Sequence, residues 1–405
     1  MNDRPILLMV VTEDWDFASH RLPVARAAIR QGYRVVLATR VGKDAPRLEA
    51  EGIELAALQW SRGGLAVNRE LQSIFQLAAL YRRLKPDVVH LVSHKPILYG
   101  TAAAMLAGQR EIVNAVTGVG SVFIGTTAKA RVLRPFVKAA LGVALRRKGS
   151  VSLFQNRDDR ELFLGPGAEK SERQALIKGS GVDLSEFPFS RIPAGIPLVL
   201  LPARLLWDKG VGEFVAAARL LKARGVQARF ALIGESDPAN PATTPREEVA
   251  RWHAEGVIEA WGYRADMPAV LAQSTIVCLP SYREGVPKAL LEALAVGRPI
   301  VTTDAPGCRE VVAPGENGLL VPVRSVEPLA DALERILKDP ELARIMGERS
   351  RAMAEQQFSV DSVAAATLAL YEKVLRPERA RLLRPTRAAP LPGNPAKSLV
   401  NEQTC

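Results

Sequence analysis

The chain has 405 residues, 48% of them hydrophobic, which exceeds what one core usually organises and predicts about two globular domains. Its three cysteines, Cys278, Cys308 and Cys405, are scattered with no C-x-x-C pair, which argues against a disulfide scaffold or a cysteine zinc site and fits a reducing compartment. The net charge of +11 is carried by residues 1–195, with 28 Lys/Arg against 18 Asp/Glu, while 196–405 hold 26 against 25; the first half is thus suited to anionic lipid, diphosphate or nucleic acid.

In chain order, "PILLMVV" (5–11) reads as a buried strand, not a cleaved leader, and no apolar run reaches the roughly 18 residues of a membrane span. The loop "TEDWDFASHR" then leads into a helix at 19–32 closed by Gly32, and "YRVVLATR" (33–40) is the next strand. A helix at 71–86, a strand at 87–93 and a strand at 111–118 continue the alternation. "SRIPAGIP" (190–197) breaks it, and a second series begins with strands at 198–204, 228–235, 274–281 and 298–304. Strands alternating with helices predict an α/β fold of two doubly wound, Rossmann-like domains facing each other across a ligand-binding cleft. The expected boundaries are 1–194, 195–357, a helix at 358–375 packing back on the first domain, and a disordered tail at 376–405 with five prolines and six Lys/Arg.

The most informative stretch is "SYREGVPKALLEALAVGRPIVTTDAPG" (281–307). Glu284 falls in a loop at the carboxyl edge of the sheet, Pro287 suits the first helical position, and Glu292 sits in the second turn. A carboxylate accepts two hydroxyl protons from a vicinal diol, so each glutamate is suited to one sugar ring of a nucleotide-sugar. The amides around Gly285 and Val286, at the positive end of the helix, are expected to face phosphates. Alone, two glutamates eight positions apart are an ordinary solvated pair. Three companions strengthen the reading: Arg204 and Lys209 in "LPARLLWDKG", suited to a diphosphate; Gly234 ending "FALIG", where a missing side chain admits a ligand; and the Gly262 turn before the acidic motif.

In this order and spacing, "ARLLWDKG", "FALIGE", "WGYRADMPAVLAQSTIVCLPSYREGVPKALLEALAVGRPIVTTDAPGCREVV" and "GENGLLVPV" resemble the donor domain of retaining glycosyltransferase family 4, of the GT-B fold. The resemblance covers about residues 198–357 strongly. It implies that Arg204 and Lys209 bind the donor diphosphate, that Glu284 contacts the transferred sugar, that Glu292 holds the ribose hydroxyls, and that Gly262, Tyr263 and Arg264 lie near the nucleobase. "SHRLPVARAAIRQGYRV", "DVVHLVSHKPILYGTAAA", "NAVTGVGSVF" and "KGSGVDLSEF" resemble the branch that makes capsule, O-antigen and similar lipid-linked glycans.

Two departures mark the first domain. A Gly-Gly pair common in the family's first loop is absent, and a His-Gly beside the reacting sugar is replaced by Thr117-Gly118. His20 with Arg21, or His94 with Lys95, are the candidates to stand on the acceptor side; a structural histidine at an element end is the plainer reading of each. Between Glu111 and Asp158 there is no acid, and within 128–149 apolar positions recur at helical spacing among Arg131, Arg134 and Lys138, with Phe136 on the apolar side. Such a basic amphipathic helix is suited to an anionic membrane surface, although a core-facing helix with a solvated basic side has the same pattern.

The resulting expectation is a retaining glycosyltransferase that moves a sugar from a nucleoside diphosphate, UDP in preference since nothing selects guanine, to a polyprenyl-diphosphate-linked saccharide. It is expected in the cytoplasm at the inner membrane face, with no cofactor, no metal and no nucleic-acid partner. Asp14 and Asp16 have Asp-x-Asp spacing but lie in the wrong domain for a donor metal. The alternatives are a nucleotide-sugar 2-epimerase of the same fold, which acts on donor alone, and a non-enzymatic basic binding module.

Overall fold

Runs of β-branched and leucine side chains give strands buried on both faces, a pattern that parallel sheets require. The structure, a computed structural model, describes residues 4–60, 67–120, 123, 128–238 and 240–383. The first sheet contains β1 (Ile6–Glu13), β2 (Arg34–Arg40), β3 (Glu54–Ala57), β4 (Val88–Val92), β5 (Ile112–Val116), β6 (Ser150–Phe154) and β7 (Gln174–Leu176), all parallel in the order 3-2-1-4-5-6-7. The second contains β8 (Leu198–Pro202), β9 (Arg229–Ile233), β10 (Glu259–Gly262), β11 (Ile276–Leu279), β12 (Ile300–Thr303) and β13 (Gly318–Val321), also parallel, in the order 10-9-8-11-12-13. In both sheets the order reverses beside the first strand of the domain, between β1 and β4 and between β8 and β11. Doubly wound sheets open a crevice at that point, at the carboxyl ends of the strands.

Each face of the first sheet has its own core, and the second domain has one continuous core. The chain crosses between domains twice. Beside the second crossing Val182 exchanges backbone hydrogen bonds with the strand-like segment 358–360, Val182 N–H to Phe358 O at 2.8 Å and Val360 N–H to Val182 O at 3.1 Å. A Cβ at Gly181 would lie 2.8 Å from Val360 Cα, so only glycine admits this crossing. Helix Pro340–Gln357 packs on the second domain, whereas Val363, Ala364, Leu368 and Tyr371 of helix Val360–Val374 are buried in the first domain's core.

Two expectations are corrected. Residues 13–20 do not form a loop: Asp14–His20 is a helix, and the following helix begins at Leu22. Asp14 and Asp16 in the first turn complement the positive end of the peptide dipoles there. The chain from Arg376 is not wholly disordered. Pro377–Ala380 is a short helix, with Arg379 Nε donating to Asp87 Oδ1 at 2.7 Å and Arg376 Nε to Glu111 Oε1 at 3.0 Å. These arginines find carboxylates on the first domain that composition does not reveal; the rest of that tail, 384–405, lies outside the described residues.

Candidate active site

Arg204 leaves β8 and Glu284 leaves β11, so the switch point of the second sheet brings them to one crevice. The turn Trp207–Lys209 delivers Lys209, and Gly210, at φ 73, lets that turn lie against the exit of β11; a Cβ there would sit 2.2 Å from Pro280 O. Lys209 Nζ consequently reaches Glu284 Oε1 at 2.5 Å, and Ser281 Oγ donates to the same oxygen at 2.9 Å. Tyr282 ties the two loops further, through its N–H to Asp208 O at 2.9 Å and its hydroxyl to Glu213 at 2.6 Å. The lysine–glutamate pair is charge-assisted and only 15% exposed on each side. Arg204, by contrast, is 59% exposed and reaches Asp237 at 3.4 Å.

The opposite wall is the Asp14–His20 helix of the first domain. Asp16 and His20, one turn apart, lie 3.2 Å from each other. Burial alone raises the Asp16 carboxyl, but His20, Arg21 and, from across the cleft, Arg204 together hold it below the usual range. On the donor side Glu292 is buried, and burial raises its carboxyl despite Lys288 and His20 nearby. Lys288 Nζ lies 3.5 Å from Glu292 and donates to Ser19 of the first domain at 3.2 Å. Arg204, Lys209, Glu284, Glu292, Asp16 and His20 thus line one cleft of mixed charge, suited to a ligand with both anionic and hydroxyl-bearing parts.

Other predicted residues are placed differently. Gly234, at φ 133, does not open space for a ligand: a Cβ there would lie 2.0 Å from Ala203 O, so its missing side chain serves the close packing of the β8 and β9 exits. The Val286 amide does not face the cleft but donates to Gln155 Oε1 of the first domain at 3.1 Å. Gly285 is pressed against the Thr117–Gly118 turn, with a hypothetical Cβ only 2.2 Å from Thr117 O, and Pro287 precedes helix Lys288–Val296 at its N-cap. Gly262 ends the edge strand β10, and Tyr263 and Arg264 follow it; Tyr263 is exposed and Arg264 is paired with Asp266 at 2.6 Å.

On the acceptor side, the four cations and imidazoles separate. His20 is the one that faces the cleft. Arg21 is 2% exposed and points beneath it, near Tyr371 and His90, where burial lowers its affinity for the proton. His94 packs against the rings of Phe123 and Phe163, and burial pulls it down to about 4, so it is neutral at pH 7. Lys95 is held by Glu70 at 2.9 Å and lies over Trp60 and Tyr99. Thr117 Oγ1 is 2.7 Å from Ser93 Oγ.

Sequence reasoning missed Asp16, set aside as a non-metal site, although its i, i+4 spacing with His20 is the signal of a shared helix face. It also missed Gln155, Asn156, Asp159 and Arg283. Asn156 Nδ2 donates to Gly285 O at 3.0 Å, and Arg283 donates to the buried Asp159 at 2.6 Å. No local pattern marks these pairs, since the partners lie in different domains.

Two facing Rossmann-like domains with this crevice are the GT-B architecture. The fold matches the crystal structure of HepE from Anabaena in complex with UDP, at TM-score 0.72 and 18% identity over 91% of this chain and 100% of that one. Residues 196–339 match the family model for glycosyl transferases group 1 and residues 6–151 that for glycosyl transferase 4-like proteins, and the chain belongs to this family of glycosyltransferases. It is 28% identical to the N,N'-diacetylbacillosaminyl-diphospho-undecaprenol alpha-1,3-N-acetylgalactosaminyltransferase of Campylobacter jejuni, over 88% of this chain and 95% of that protein. It is 21% identical to the capsular polysaccharide biosynthesis glycosyltransferase CapM of Staphylococcus aureus, over 83% and 90% respectively.

Proposed function

We propose that this glycosyltransferase moves a hexose or N-acetylhexosamine from a UDP-sugar to a hydroxyl of a polyprenyl-diphosphate-linked saccharide, with retention at the anomeric carbon. The observation that carries the reading is the Lys209–Glu284 pair at the β8/β11 switch point, with Arg204 and Glu292 on the same wall. Arg204 and Lys209 take the diphosphate, Glu284 the transferred sugar and Glu292 the ribose diol. The bond from the anomeric carbon to the diphosphate oxygen breaks as the bond to the acceptor oxygen forms on the same face. The acceptor proton passes to the departing phosphate oxygen, whose charge the two cations stabilise in place of a divalent metal. The ribose hydroxyls donate to the Glu292 carboxylate oxygens. The names of the Campylobacter and Staphylococcus relatives, with their diphospho-undecaprenol and capsular polysaccharide, support the acceptor class; the UDP bound to HepE supports the nucleotide. A panel of UDP- and GDP-sugars, with and without EDTA, tests this by thermal stabilisation and hydrolysis. UDP-sugars are expected to raise the melting temperature with or without chelator; no stabilisation by any of them at about millimolar concentration sinks the reading.

The acceptor lipid places the enzyme at the inner membrane face, held by helix Ala128–Leu145. Among the described residues no helix is long and apolar enough to cross a membrane. On that helix Leu141, Ala144 and Leu145 are buried against the domain, while Val132, Phe136 and Val143, 67%, 69% and 74% exposed, form an outward apolar stripe. Exposed Arg131 and Lys138, and half-buried Arg134, lie to one side of it. Insertion of the stripe with cations at the headgroups is the expected docking mode. Val132→Ser with Phe136→Ser is expected to lower partitioning onto phosphatidylglycerol vesicles by about tenfold or more, from the apolar area lost. Unchanged co-sedimentation of the double variant excludes this helix as the contact.

A further inference from the structure

We propose that Gln155, Asn156 and Asp159 are positioning residues for the transfer reaction: reaching from the first domain, they fix the main chain around Glu284 and make donor-side geometry depend on the docking of the two domains. The proposal rests on the reading that Glu284 contacts the transferred sugar.

The peptides from Glu284 to Val286 are held from two sides. On the second domain, Glu284 N–H donates to Pro306 O at 3.0 Å, and Gly307 packs so closely that a Cβ on it would lie 2.4 Å from Glu284 O. On the first domain, Asn156 Nδ2 donates to Gly285 O at 3.0 Å and lies 3.5 Å from Glu284 O, while Gln155 Oε1 accepts from Val286 N–H at 3.1 Å. Arg283, the residue before Glu284, is gripped by Asp159 at 2.6 Å. Gly285 is enclosed between these contacts, since a Cβ on it would meet Gln155 Oε1 at 2.4 Å as well as Thr117 O.

Asn156 also caps its own helix, Arg157–Leu164: its Oδ1 accepts from Asp159 N–H at 2.8 Å. A serine suffices for that task. What asparagine adds is an amide donor, used on Asp159 Oδ2 at 3.0 Å and on the loop of the other domain. The three side chains are fully or almost fully buried, and a buried donor or acceptor is costly to leave unpaired. Other ion pairs join the domains without touching this loop's main chain, such as Lys178–Glu310 at 3.0 Å. Adhesion of the domains therefore does not by itself require contacts to the Glu284 peptides.

The test uses the full-length protein with UDP-glucose, UDP-galactose and their N-acetylamino counterparts as donors. Gln155→Met keeps the shape of the side chain but not its acceptor, and Asn156→Ser keeps the cap but not the amide donor. Each is expected to lower kcat by about tenfold or more, the scale of a small misplacement of a reacting group, with donor KM little changed and the melting temperature lowered by a few degrees through the orphaned Val286 N–H or Gly285 carbonyl. Gln155→Glu, which still accepts the Val286 N–H, is expected to restore most of the loss, and Lys178→Gln to leave turnover at the wild-type level. Wild-type kcat in both Gln155→Met and Asn156→Ser overturns the proposal, as does a loss that the lowered melting temperature accounts for or that is matched by Lys178→Gln. Glu284→Gln, measured alongside, separates the two ideas: if it turns over normally, the role of Glu284 fails first; if it is inactive while the positioning variants are not, only the present proposal fails.

Discussion

Lys209→Ala is expected to lower kcat by about 10²- to 10³-fold, the usual effect of removing one preorganised group that stabilises developing charge. Glu284→Gln is expected to fall in the same range. In the cleft the two side chains hold each other, at 2.5 Å and with little exposure. Either substitution therefore removes one group from the reaction and also releases the other from its position. Groups that act as a unit lose function non-additively, so the double variant is expected to resemble the worse single variant. Lys209→Arg is not expected to rescue: Gly210 fixes the turn that carries Lys209 against Pro280, so the longer, planar guanidinium presents its donors at other points than the single ammonium. Steady-state kinetics on wild type and the four variants settles the matter, and kcat within about threefold of wild type for both Lys209→Ala and Glu284→Gln removes the pair from the chemistry.

The strands that sequence reasoning located, at 5–11, 33–40, 87–93, 111–118, 198–204, 228–235, 274–281 and 298–304, correspond to β1, β2, β4, β5, β8, β9, β11 and β12. They were legible because parallel strands buried on both faces are continuous apolar runs. The short strands β3 and β7, with no fully buried residue, and β13, with two, give no such run. The Asp14–His20 helix was hidden because "EDWDF" has no apolar periodicity; its single deeply buried apolar side chain is Phe17. The placement of Arg204, Lys209 and Glu284 could be read because each sits a few residues past a strand end, where topology alone decides which cleft it enters. Contacts such as Gln155 with Val286, 131 positions apart, have no such local signature. Gly234 carries a related lesson: in sequence, a glycine that admits a ligand looks the same as one that admits the carbonyl of Ala203. The fate of His94 was set by Phe163, a partner that no spacing identifies.

Arg298→Leu is expected to destabilise the protein by about 3 kcal/mol, the resultant of two opposing effects. The side chain is wholly buried with no carboxylate partner in its hydrogen-bond set, and burial draws its proton affinity down to about 10. Removing a buried cation relieves that desolvation. Against this, its guanidinium satisfies Leu271 O at 3.0 Å, Ala272 O at 3.0 Å, Gly297 O at 3.1 Å and Ser190 O at 2.8 Å, with Ser190 Oγ at 2.5 Å. Leucine leaves these acceptors buried and unpaired, at about 1–3 kcal/mol for each one that water cannot reach. Leu271 and Ala272 end helix Met267–Ala272, and Gly297 caps helix Lys288–Val296. The cation thus sits at the negative ends of two helices, which favours it electrostatically and makes the orphaned carbonyls the larger effect. The second of those helices carries Glu292 and begins beside Glu284, while Ser190 belongs to the crossing between domains. Arg298→Lys retains the charge with fewer donors and is expected to recover part of the loss. Urea unfolding of the three proteins measures it, and a change below about 1 kcal/mol for Arg298→Leu means that water or a rearranged linker satisfies the acceptors in its place.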